Sequence, residues 1–137
     1  KKYRIFMGDT GSLFIGFVLA AIALGTSYTK VNDIGILAPI LILGIPIYDT
    51  ILVIFYRTIQ KKSPFLGSKD HSALRLEARG FSRPQIVIIA CVASFILSLT
   101  AFVSTRISFI WSLLLYVFII SEMIFAGFWL YRINVNE

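Results

Sequence analysis

Apolar residues gather in four long stretches, 12–29, 34–56, 85–104 and 108–131, separated by short polar turns and one long polar segment, 57–84. A helix needs about 20 residues to cross a hydrocarbon core of roughly 30 Å, and each stretch is of that order. None shows the strict two-residue alternation of a barrel strand, and all are too long to be one. Helices satisfy their backbone donors and acceptors within the segment, so the pattern predicts an all-α, polytopic membrane helical bundle with four transmembrane helices.

The segment 57–84 has its own punctuation. Ser63-Pro64 interrupts extension of the second span. Asp70 or Ser72 can cap a short helix that runs through Arg79, with Gly80 at its C′ position, and Ser82 can cap the third span with Pro84 in its first turn. A long loop in so compact a chain is usually functional, and a short helix near the membrane surface is expected in it. In the second span, Pro46 removes a donor and frees a carbonyl one turn back, which predicts a kink.

Composition agrees with the pattern. The 137 residues are 58% hydrophobic and only 15% charged, with a mean hydropathy of +0.85, which does not suit a soluble globule. An aromatic content of 15% excludes disorder, 9 Gly and 4 Pro exclude collagen, and the single Cys91 excludes an internal disulfide scaffold. The net charge of +6 comes without a basic array interleaved with aromatics, so anionic lipid or a phosphorylated substrate is expected and nucleic acid is not. Eleven of the 13 basic residues fall on one side of the predicted spans; Lys30 and Arg106 alone fall on the other. Short loops rich in Lys and Arg stay cytoplasmic, so both chain ends and 57–84 are expected in the cytoplasm. The chain opens on Lys1-Lys2-Tyr3-Arg4 rather than Met and reads as a piece of something longer.

Candidate chemistry is concentrated where the first span leaves the cytoplasm, at Phe6-Met7-Gly8-Asp9-Thr10-Gly11-Ser12-Leu13. Glycines admit a ligand close to the backbone, a helix N-terminus offers free N–H groups, and Asp9 supplies a hard oxygen. Phosphate with a divalent metal fits all three; an ordinary N-cap by Asp9, Thr10 or Ser12 fits them as well. Asp49, about 12 Å of helical rise from Arg57, is an ionisable residue inside a span, for which function is the default and structural pairing the alternative. On the short loop helix, His71, Arg75 and Arg79 recur at i, i+4 and i+8 and form a stripe of donors suited to an anion. Glu122 has no motif around it and reads as a bundle-facing carboxylate, and Gly16, Ala20, Ala21 and Gly25 read as small residues for close helix packing.

These motifs together resemble the polyprenyl-phosphate N-acetylhexosamine-1-phosphate transferases, relatives of the phospho-N-acetylmuramoyl-pentapeptide translocase. Phe6-Met7-Gly8-Asp9-Thr10-Gly11-Ser12 is similar to the family's most recognisable motif, and Pro46-Ile47-Tyr48-Asp49-Thr50 to its Pro-x-x-Asp segment. Ser63-Pro64-Phe65 through His71, Arg75, Gly80, Phe81 and Ser82 is similar to its cytoplasmic histidine loop. Of that loop's His-x-His-His pattern only the first histidine, His71, is matched, which points away from the pentapeptide translocase and towards an N-acetylglucosamine-1-phosphate transferase branch.

The resemblance implies that a prenyl phosphate oxygen attacks the β-phosphorus of a UDP-N-acetylhexosamine, with UMP leaving. It implies a Mg²⁺ cofactor held by Asp9, with Asp49 also in the catalytic centre and Gly8, Thr10, Gly11, His71 and Arg75 binding substrate. The expected partners are the UDP-sugar, polyprenyl phosphate, membrane lipid and an N-terminal half that carries the family's paired aspartates. A homodimer stays open. The chain is then the C-terminal part of a plasma-membrane enzyme, inactive alone. The rival reading is a non-enzymatic module or a transporter fragment that uses Asp49 and Glu122 as an ion path.

Overall fold

The protein is represented by a computed structural model that describes residues 8–25, 27, 28, 30–61, 63 and 71–133, with the side chains of Asp9 and Leu24 outside that description. All regular elements among these residues are helical: α1 (Gly8–Gly25), a 3₁₀ turn (Asp33–Leu37), α2 (Ala38–Ile42), α3 (Gly44–Ile59), α4 (Ser72–Ala78), α5 (Arg83–Ser104) and α6 (Phe109–Tyr131). Two of them, α5 and α6, are long and apolar enough to cross a membrane; the segment Asp33–Ile42 with α3 makes a third candidate span, bent by 73°. In α1 the apolar helix Thr10–Ala23 is shorter than the other candidates. The described residues thus carry two to three candidate spans where the pattern predicts four.

The bend sits where proline chemistry puts it. Pro46 cannot donate to the carbonyl of Ile42, and the chain breaks at Leu43, whose ψ of 14° departs from the helix. Gly44 lets Leu97 approach the break, for a Cβ there would stand 2.7 Å from Leu97 Cδ1. At its other end α3 stops before Ser63: Gln60 is the C-cap and Lys61 takes the left-handed conformation at φ 56°.

The predicted C-terminal glycine of the loop helix and the predicted N-cap of α5 form. Gly80, at φ 102°, follows α4, with Phe81 N–H donating to Leu76 O and Gly80 N–H to Glu77 O, the Schellman pattern. Ser82 and Gln85 form a reciprocal capping box at the start of α5. The N-cap of α4 is His71, whose side chain does not bond back to the helix; of the two expected caps Ser72 is the first helical residue and Asp70 lies outside the described residues.

Buried contacts are few and fall in two clusters. Ala38, Leu41, Leu97, Ala101 and Tyr116 join α2, α5 and α6, while Leu52, Tyr56, Leu130 and Ile133 join α3 to the end of α6. Most large apolar side chains face outwards, with Phe17, Phe95 and Phe125 72, 69 and 70% exposed. So much outward apolar surface on helices with satisfied backbones is the signature of a lipid-facing bundle.

At the end remote from α4, Asn32 ties the bundle together. Its Nδ2 donates to Ser104 O at 2.9 Å, Ile107 O at 2.6 Å and Ser112 Oγ at 3.3 Å, while its Oδ1 accepts from Gly35 N–H. α1 makes at most a marginal contact with the other described elements. Gly16 and Gly25 face open space, so among the described residues they do not serve the close packing expected of them.

Candidate functional site

The site grows from the first half of α3, just beyond the break. Asp49 stands one turn after Pro46 and reaches across to α4. Its Oδ1 accepts from the Ser72 backbone N–H and its Oδ2 from His71 Nδ1, both at 2.7 Å. The carboxylate therefore caps α4 from a neighbouring helix, where the helix dipole favours a negative charge. Its side chain is 26% exposed and that of His71 51%. A carboxylate only accepts, so the imidazole proton sits on Nδ1 and Nε2 is left as the acceptor of a neutral ring.

The three-residue stripe on α4 does not act as one donor row. Arg75 is buried and its Nη1 donates to the carbonyls of Leu130 at 3.3 Å and Ile133 at 3.0 Å, at the C-terminus of α6. Its guanidinium also lies over the Tyr56 ring, 4.3 Å from the centroid. Arg79 lies over Trp129 at 5.2 Å. His71 and Arg79 stay exposed, and of the three only Arg75 is buried. In this arrangement Arg75 clamps α4 to the negative end of α6. Glu77, on another face as the spacing predicts, accepts from Arg83 Nε at 3.0 Å.

Behind this junction α3 and α6 cross tightly. Tyr48 donates to Met123 O at 2.8 Å and Tyr56 to Gly127 O at 2.6 Å, using second lone pairs on helical carbonyls. Gly127 permits the approach: a Cβ there would stand 3.0 Å from Leu52 Cδ2 and 3.3 Å from the Tyr48 hydroxyl. Beside the crossing lies an almost wholly apolar cavity of about 420 Å³, lined by Tyr48, Leu52, Phe55, Met123, Ile124 and Phe128 among others. Neither the two tyrosines nor the cavity is evident from the linear motifs; the eight-residue spacing of Tyr48 and Tyr56, opposite small Gly127, is the signal that was there to read.

Gly8, Thr10 and Gly11 occupy the first turn of α1, which begins four residues earlier than the hydrophobic pattern predicts. Gly8 has φ 68° and nothing within 4 Å of where a Cβ would stand. α1 does not pack closely against α3 or α4, so the described structure brings Asp49 and His71 together but does not join the glycine run to them. Among the described residues no three His, Cys, Asp or Glu side chains cluster to hold a metal. Glu122 is exposed on α6.

No family model matches the chain, and no solved structure matches it. Curated sequences do. A probable undecaprenyl-phosphate N-acetylglucosaminyl 1-phosphate transferase of Bacillus subtilis is 38% identical over 117 residues, 85% of this chain and 32% of that protein. Undecaprenyl-phosphate alpha-N-acetylglucosaminyl 1-phosphate transferases of Yersinia pestis and Escherichia coli are 28% and 30% identical over 80% and 72% of the chain, or 30% and 27% of their own lengths. The chain spans about a third of the length of these relatives. On that similarity, which reaches 38% identity over 85% of the chain, the chain belongs to the polyprenyl-phosphate N-acetylhexosamine-1-phosphate transferase family.

Proposed function

We propose that this chain is the C-terminal part of an enzyme that transfers N-acetylglucosamine 1-phosphate from a UDP-sugar to undecaprenyl phosphate. The observation that carries the reading is the 38% identity, over 85% of the chain, to a relative named for that transfer. A terminal oxygen of the lipid phosphate attacks the β-phosphorus of UDP-N-acetylglucosamine. The bond from that phosphorus to the bridging oxygen breaks, its electron pair leaves with UMP, and the sugar 1-phosphate remains on the lipid as a diphosphate.

In this reading α1 is a fourth span, with its first turn at the cytoplasmic surface of the plasma membrane. The N–H groups of Gly8 and Gly11 and the Thr10 hydroxyl meet phosphate oxygens. His71, its Nδ1 held by Asp49, turns the Nε2 acceptor outwards, where it can take the proton of a singly ionised lipid phosphate, and Arg75 serves by fixing α4 against α6. The apolar cavity beside Tyr48 suits the hydrocarbon end of a prenyl carrier, since it offers almost no polar lining next to the polar junction.

Magnesium takes one or two protein carboxylates and completes its shell with water and substrate phosphates. Asp9, in the first turn of α1 beside the open space at Gly8, fits that donor set and would hold the ion. Bound there, Mg²⁺ would neutralise the diphosphate and the departing UMP. The test is a chimera in which this chain replaces the matching third of the Bacillus subtilis relative. Asp9→Asn is expected to abolish Mg²⁺-dependent UMP release; release at the parental rate removes Asp9 from the metal site.

A further inference from the structure

At the bundle end opposite the Asp49–His71 pair lies a second cavity of about 420 Å³, between the segment after α1, α2 and the end of α5. Its lining is mixed. Lys30 and Arg106 stand on it together with Ser98 and Thr105, and Phe102 and Ile42 supply apolar wall. These are the two basic residues that fall on this side of the spans, and both line the same cleft. No ion pair among the described residues engages either. The Arg106 guanidinium rests over the Phe102 ring at 5.0 Å, held beside the opening.

The frame around the cleft is fixed. Asn32, 7% exposed, bonds to the carbonyls of Ser104 and Ile107, which pins the segment carrying Lys30 to the turn carrying Arg106. Gly35 is packed so closely on the Tyr28 carbonyl that a Cβ would collide with it. The cleft also has depth. Ser98 lies seven residues before Thr105, about 10 Å of helical rise below the end of α5. Cations and hydroxyls at the rim with an apolar channel beneath them match one ligand chemistry, a phosphodiester joined to a hydrocarbon chain.

We propose that this cleft binds an anionic phospholipid from the leaflet opposite the Asp49–His71 pair, its phosphodiester at Lys30 and Arg106 and its acyl chain along Phe102 and Ile42. A free phosphate would use the rim alone and gain nothing from the depth. Binding here goes beyond the transferase reading and does not depend on it.

The experiment is native mass spectrometry of the purified chain titrated with phosphatidylglycerol or phosphatidylcholine. The parent is expected to retain phosphatidylglycerol preferentially. Removing both charges, Lys30→Gln with Arg106→Gln, weakens that retention about thirtyfold and leaves phosphatidylcholine unchanged, as the loss of two basic residues at an anionic headgroup requires. Ser98→Trp fills the channel and lowers phosphatidylglycerol retention with the charges in place. Arg132→Gln, at the other end of the bundle, keeps parental retention. Equal retention by the double variant, equal loss in Arg132→Gln, or sn-glycerol 3-phosphate binding as tightly as the lipid would each overturn the proposal.

Discussion

Replacing Asp49 by asparagine keeps the shape of the side chain while exchanging one of its two acceptors for a donor. The remaining carbonyl can still accept from Ser72 N–H, and asparagine caps helices about as well as aspartate, so α4 loses only the charge at its N-terminus, about 0.3–1 kcal/mol. The consequence for His71 is larger. An NH₂ group now faces Nδ1 where a carboxylate oxygen stood at 2.7 Å. Two donors cannot meet there, so the ring must move its proton to Nε2 and accept through Nδ1, or swing away. Asp49→Ala removes both bonds. Each bond to a charged acceptor contributes about 1.5–3 kcal/mol when buried. With the partners 26% and 51% exposed, a total near 2 kcal/mol is expected, or about a 30-fold shift in the opening of α4. A seven-residue helix has no stability of its own to offset that loss.

The chain contains one histidine, so a ¹⁵N-histidine spectrum of the labelled protein in nanodiscs reports His71 without ambiguity. The parent should show a protonated Nδ1 and Asp49→Asn a protonated Nε2. Amide exchange at Leu74 and Arg75, whose N–H groups donate to His71 O, should change less than about fivefold in Asp49→Asn and roughly 30-fold in Asp49→Ala. A parental ring already protonated at Nε2, or α4 amides indifferent to Asp49→Ala, would refute the coupling of Asp49 to His71 whatever the activity of either variant.

Three further substitutions test the frame. Arg75→Met keeps the bulk of the buried side chain but abandons the carbonyls of Leu130 and Ile133; thermal unfolding without substrates should register a loss of about 1–3 kcal/mol, whereas a residue kept only for phosphate would leave it unchanged. Gly35→Ala drives a methyl into the Tyr28 carbonyl and should cost about 3 kcal/mol, while Gly16→Ala, in open space within α1, should stabilise by about 0.5–1 kcal/mol. Asn32→Asp, isosteric but with an acceptor facing the carbonyls of Ser104 and Ile107, should lower the unfolding temperature at least as far as Asn32→Ala.

Much of the architecture was legible because its causes are local. A proline removes a specific donor, so the break at Leu43 could be placed from Pro46 alone. Gly80 and the Ser82–Gln85 box act within a few residues, and both fall where the pattern puts them. Other features depend on residues far apart in the chain. Asn32 lies 72 residues from Ser104 and 80 from Ser112, and in isolation it reads as a polar turn residue. Span number was less legible. Hydropathy averages over the Leu43 break and merges elements that meet at 73°, and it places the start of the first helix after the polar run Gly8–Gly11 that α1 includes.

The α4 stripe shows the same limit at the site. Spacing of four and eight residues fixes which face of a helix three side chains share, but the partner of each depends on what surrounds that face. α4 lies between a carboxylate on the flank of α3 and the carbonyl end of α6. Its own N-terminus, beside His71, meets the Asp49 carboxylate of α3, and Arg75, one turn on, meets the carbonyl end of α6. A cation four residues from the histidine is drawn to those carbonyls because burial beside Tyr56 removes the water that would otherwise solvate it, and α6 supplies the acceptors in its place. The identities His71 and Arg75 were therefore readable as a pair, while their division of labour, one turned outwards and one locked inwards, is set by a helix more than fifty residues further along the chain.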